Sequence, residues 1–133
     1  MNKEQLNDLL EELVALPSET EWVEFKLNKG SISNEQIGEY ISALSNGSTI
    51  ANKPFGYLVW GINDNSHDIM GTNFSFIDAK QGNQNLELWL RTLLHPKINF
   101  EIFEFTYRGQ PIVLLRIPAA KAEPTHFQKK AYI

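Results

Sequence analysis

The sequence predicts an α/β (α+β) domain: a single mixed β-sheet with helices packed on it. Three observations carry that class. Apolar residues recur at helical spacing in three separate stretches. The run "FGYLVWGI" at 55–62 is almost wholly apolar and suits a central strand covered on both faces. Two further apolar runs flank Arg108-Gly109, which marks a hairpin. In order the signals run α-β-α-β-β-α-β-β, a pattern satisfied by one sheet carrying its helices on its faces.

Leu6, Leu9, Leu10, Leu13 and Leu16 keep one side of the first helix apolar, and Glu4, Asp8, Glu11 and Glu12 take the solvated positions. Pro17 marks its end. "TEWVEFKLNKG" then reads as a short strand. By the two-residue period Val23, Phe25 and Leu27 point one way, and Trp22, Glu24 and Lys26 the other. Ser33 stands three residues before Gln36, a capping box for a second helix with the stripe Ile37, Tyr40, Ile41, Leu44. "SNG" at 45–47 is expected to stop that helix. After the central strand, "NDNSHD" forms a turn and "IMG" returns as a short strand. Leu86, Trp89, Leu90 and Leu93 mark a third helix that stops at Pro96. In the hairpin that follows, a two-residue loop makes paired positions sum to 217, so Glu101 should oppose Arg116. "KKAYI" reads as the beginning of one more strand, and the chain as a segment cut from something longer, with residues 1–133 as one domain.

Composition bounds the function. At 133 residues and 42% hydrophobic, the chain can bury a core without staples. It contains no cysteine, which excludes disulfides and thiolate metal sites. The start, "MNKEQLNDLLEEL", has no apolar h-region and no stretch reaches membrane-spanning length, so a cytoplasmic protein is expected. A formal charge of −4 argues against a strong nonspecific grip on a phosphate backbone. There is no phosphate-loop pattern and no nucleophile elbow. His67, His95 and His126 are scattered, and no helical or strand spacing brings two of them together.

The blocks "ETEWVEFK" (19–26), "IGEYISALSN" (37–46) and "GYLVWGINDNSHDIMGT" (56–72) resemble, in that order and spacing, the Schlafen AlbA_2 domain. "VLLRIPAA" and the later "PTHF…AYI" resemble its C-terminal part, so the likeness covers almost all of the chain from Glu19 onward. The resemblance implies a DNA-binding module. In bacteria such modules stand at the N-terminus of larger transcriptional regulators or helicase-related proteins, whose further domains would be its partners. Some animal Schlafen proteins are RNA endonucleases that use three acids and a divalent metal. Carried over residue by residue, the family's glutamate pair falls on Glu19 and Glu24. The position of the third acid holds Asn63, which leaves Asp64 as the substitute.

Two kinds of site follow. Glu19, Glu24 and Asp64 are the candidate metal-binding and catalytic set, since converging carboxylates hold Mg²⁺ or Mn²⁺ through hard oxygen ligands. Lys26, Lys29 and Lys53 are the candidate phosphate contacts along one edge, with Trp22 as a base-stacking surface. The reading adopted is a nucleic-acid-binding module of a bacterial transcriptional regulator. It binds DNA more than RNA, binds weakly in isolation, requires no cofactor and does not catalyse. A metal-dependent nuclease, or a protein-interaction and oligomerisation domain, are the alternatives.

Overall fold

In the computed structural model, which describes residues 1–17, 20–30 and 32–133, the chain forms a three-layer domain. Helix α1 (Lys3–Val14) is opened by Asn2, whose side chain accepts from the Gln5 backbone while the Gln5 side chain accepts from the Asn2 N–H. Strand β1 (Val23–Lys26) leads to helix α2 (Asn34–Ile50), which opens on the expected Ser33–Gln36 capping box. Strand β2 (Phe55–Trp60) is followed by the short β3 (Lys80–Gln81) and β4 (Gln84–Asn85) and by helix α3 (Leu86–Leu93). Then come β5 (Leu94–His95), β6 (Glu101–Tyr107), β7 (Gln110–Pro118), β8 (His126–Phe127) and β9 (Lys130–Ala131).

The main sheet is mixed, in the order β1-β2-β7-β6. β1 and β2 are parallel, while β2–β7 and β7–β6 are antiparallel. β2 is therefore internal, and from Gly56 to Trp60 it is buried throughout, as its apolar run requires. Two cores lie on the two faces, the upper one beneath α2 and α3 and the lower one beneath α1. Ile37, Ile41, Leu58, Trp60, Leu86, Leu90 and Leu115 pack beneath α2 and α3. Leu10, Leu13, Phe25, Tyr57, Val59 and Leu114 pack beneath α1. The hairpin register is the expected one: Glu101 faces Arg116, and the two carry an ion pair at 2.6 Å. The returning strand at "IMG" shrinks to a single bridge between Ile62 and Ile69. "KKAYI" contributes β9, the end of a three-stranded sheet β5-β8-β9. Among the described residues no helix is long and apolar enough to cross a membrane.

One helix end departs from expectation. Ser45-Asn46-Gly47 does not stop α2, which continues to Ile50. Its polar residues face inward because the C-terminal segment supplies their partners. Ser42 Oγ donates to the Thr125 carbonyl at 2.7 Å and Ser45 Oγ to that of Pro118 at 2.8 Å. Asn46 donates to the carbonyls of Thr125 (2.9 Å) and Tyr132 (2.7 Å) and accepts from the Thr125 N–H (2.7 Å). A buried polar group is tolerated in a helix interior when it is hydrogen-bonded in this way.

Candidate functional site

β1 is an edge strand, and its C-terminal end lies beside that of β2 because the two are parallel. Open α/β sheets bind ligands at this end of their strands. Here a cleft of about 290 Å³ opens between the end of α1, the outer side of β1 and the turn after β2. Its walls include Leu13, Leu16 and Pro17, then Thr20, Val23, Glu24 and Phe25, and finally Asp64 and His67. Phe25 is 5% exposed and anchors the strand in the lower core. Glu24, its neighbour in sequence, stays half-buried at the mouth, as strand alternation requires.

The turn decides which residue after β2 reaches this cleft. β2 ends at Trp60, and Gly61 takes φ +108°, a conformation open to glycine. The Gly61 and Ile62 N–H groups both donate to the Lys26 carbonyl, which ties the turn to the end of β1. Asn63 then folds its side chain into its own turn, where Oδ1 accepts from the N–H groups of Asn65 (2.9 Å) and Ser66 (3.0 Å). Asp64 is thereby left to line the cleft with Glu24. Asn63 is used by the turn, and Asp64 is the residue of this turn that brings a carboxylate to the cleft.

The electrostatics follow from this placement. Burial pushes the Glu24 carboxyl above the usual carboxylate range; the Lys26 ammonium pulls it down and the Asp64 charge pushes it up again. Lys26 Nζ lies 3.6 Å from Glu24 Oε2 and 4.8 Å from the centre of the Tyr40 ring on α2. Burial works to lower the Lys26 pKa, but the Tyr40 hydroxyl and the Glu24 and Asp64 carboxylates outweigh it, and the ammonium is held above its ordinary value. The ion pair thus secures the lysine's charge more completely than it relieves the glutamate.

Glu19 lies outside the described residues. The described residues supply two carboxylates at the cleft, hard oxygen donors of the kind a divalent ion takes. Among them no group of three or more His, Asp or Glu side chains is gathered to hold a metal ion.

The basic residues divide. Lys26 stands at the C-terminal end of β1, and Lys29 follows it in the loop, where Nζ donates to the Ile32 carbonyl at 3.0 Å. Lys53 precedes β2 and lies over the Trp22 ring, 4.9 Å from its centre. These groups occupy the same sheet edge but opposite ends of β1, about 10 Å apart along a four-residue strand. Trp22 does not share the face of Glu24 and Lys26. It precedes the strand, beyond the reach of strand alternation, and packs edge-on against Tyr57 (6.1 Å) in the lower core.

Two features were not visible in the sequence. His67 joins the cleft, its ring edge-on to Phe25 at 4.8 Å and Nδ1 3.1 Å from the Val14 carbonyl oxygen; only its place in a turn was legible. His95 and His126, which no local spacing relates, are direct partners in the β5–β8 pair.

The family model described as Schlafen, AlbA_2 matches residues 19–133. None of the curated proteins compared with the chain matches it. Among solved structures, the chain is similar to the N-terminal domain of an ATP-dependent DNA helicase RecG-related protein, so named, from Nitrosomonas europaea. The TM-score is 0.54 at 21% identity, over 95% of this chain and 85% of that one. It is also similar to the DIP2311 protein from Corynebacterium diphtheriae, with TM-score 0.51 and 21% identity over 95% of this chain. The chain spans only 24% of that second protein's length. At such identity these likenesses concern the fold. The match over residues 19–133 settles the family: the chain belongs to the Schlafen AlbA_2 family.

Proposed function

We propose that this Schlafen AlbA_2 domain is a nucleic-acid-binding module, non-catalytic in isolation, serving a larger bacterial transcriptional regulator. The observation that carries the reading is the edge of the main sheet. Lys53 and Trp22 form a cation–aromatic pair at one end of β1, and Lys26 and Lys29 supply positive charge at the other. Lysines meet phosphates and an aromatic face meets a base, an arrangement suited to a strand laid along the edge. The helicase-related name of the Nitrosomonas relative supports a nucleic-acid partner, and DNA before RNA. With a net charge of −4 and so few lysines, the isolated domain binds weakly, and further domains of the parent protein supply most of the affinity.

The test is fluorescence anisotropy with short single-stranded DNA, duplex DNA and RNA across a range of salt. The expected result is weak binding that falls steeply with salt. In the triple variant Lys26→Gln/Lys29→Gln/Lys53→Gln, each lost contact should lower the magnitude of the log–log salt slope by roughly 0.7–0.9. An unchanged slope and affinity in that variant would remove these lysines from the interface. No binding at low salt would favour a protein-interaction or oligomerisation domain.

A second reading rests on the Glu24–Asp64 cleft. Half-buried Glu24 and exposed Asp64 line one cleft, a like-charge arrangement that a divalent cation relieves, and with Glu19 they would form the acid set of a metal-dependent nuclease. The expected outcome is no cleavage of RNA or single-stranded DNA in Mn²⁺ at neutral pH. Cleavage that disappears in Glu24→Gln would make the domain an enzyme.

A further inference from the structure

We propose that His95 and His126 form a two-histidine site for a divalent transition cation of the zinc, nickel and copper group. β5 and β8 pair antiparallel with Leu94 opposite Phe127 and His95 opposite His126. Leu94 and Phe127 are buried in the upper core. Because successive residues of a strand face opposite sides, the histidine pair faces outward together. It does so into a cavity of about 760 Å³ lined by both imidazoles, Thr92, Gln128 and Lys129. This cavity shares no lining residue with the acidic cleft.

The spacing suits the ion. Directly opposed residues in an antiparallel pair hold their Cβ atoms about 4.5–5.5 Å apart. A tetrahedral ion with nitrogens at about 2.0–2.1 Å needs the two ring nitrogens about 3.3 Å apart, within reach of two imidazoles on that frame. The frame is fixed from below. The Gln128 N–H donates to the Leu93 carbonyl at 3.1 Å, and the Phe127 ring packs edge-on to Trp89 at 6.0 Å. Gly38 of α2 leaves the space that the Phe127 ring fills, where a Cβ would stand 2.2 Å from it. Imidazole selects zinc, nickel and copper over magnesium and calcium, which prefer oxygen. The remaining coordination positions open into the cavity, where water, the Thr92 hydroxyl or the Gln128 amide oxygen can enter. The Lys129 ammonium opposes a cation there and limits the affinity. His67 is no part of this site, since it sits in the acidic cleft beside the Val14 carbonyl.

The test is titration of the full chain with ZnCl₂ and NiCl₂, followed by calorimetry and by NMR of the imidazole signals. One equivalent should bind saturably, with shifts at His95 and His126. His95→Gln and His126→Gln should each weaken binding at least tenfold while the amide spectrum stays folded. Lys129→Gln should tighten binding, and His67→Gln should leave it unchanged. Acidification should release the ion, because protonated imidazole does not ligate. The proposal is overturned by an absence of saturable binding, by binding that survives either histidine substitution, or by equal binding of Mg²⁺.

Discussion

Gly47, in the last turn of α2, lies against the backbone carbonyl of Glu21: a Cβ added to the glycine would stand 1.9 Å from that oxygen. The helix and the segment entering β1 are thus in backbone contact. Alanine in place of glycine within a helix gains about 1 kcal/mol in propensity. Here that gain loses to the collision, because a carbonyl cannot rotate away as a side chain can. Gly47→Ala should destabilise the domain by about 1–3 kcal/mol, as overpacking does. Urea denaturation should show a lower midpoint at unchanged slope.

Phe25 is the residue that places Glu24. It is 5% exposed and packs in the core that α1 covers. Phe25→Ala should cost about 3–5 kcal/mol. Val23→Ala, at a half-buried position, should cost less. Equal and mild effects in the two variants would mean that the strand is set in the other register.

Asn46 secures the C-terminal segment through three hydrogen bonds, one of them from the buried Thr125 N–H. Asn46→Ala leaves the buried Thr125 N–H unpaired, which costs about 1–3 kcal/mol, while the Thr125 carbonyl keeps its bond from Ser42. The variant should lose stability on that scale. Hydrogen exchange at the Thr125 amide should accelerate more than exchange in β2. Uniform acceleration across both would show that the segment is not secured locally by this residue.

The Glu24 carboxyl keeps its proton to higher pH in the folded than in the unfolded chain, chiefly because burial disfavours the charge. Between its unfolded and folded pKa values the native state holds the extra proton, so stability falls as pH rises through that window. Glu24→Gln should flatten this part of the stability–pH curve. Carbon-detected NMR titration should place the Glu24 midpoint above that of an ordinary glutamate. Asp64→Asn should lower that midpoint and Lys26→Gln should raise it. No response to Asp64→Asn would mean that the two carboxylates do not sense each other.

A partly exposed Glu24 beside a buried Phe25 follows from strand alternation, and its place on one side with Lys26 from the same period; the cleft beside them is not legible in the sequence. That Asp64 rather than Asn63 lines the cleft is not legible there either, because it depends on where β2 stops and how its turn closes on the Lys26 carbonyl. Trp22 departs from the side that the two-residue period predicts for a similar reason: the period holds only within the strand, and the residue lies just before it.

By itself the sequence determined what local spacing can encode. The leucine stripe of α1, the Ser33–Gln36 cap and the Glu101–Arg116 register are each set by residues within a turn or across one short hairpin. Tertiary structure decided whatever needed a partner far along the chain. α2 runs through Ser45-Asn46-Gly47 because Asn46 finds acceptors 79 and 86 residues away, and no local signal announces them. His95 meets His126 only because β8 docks on β5 under the Phe127 anchor. A polar or turn-forming residue announces its local preference in the sequence, but its burial depends on a desolvation cost that only a distant hydrogen-bond partner removes.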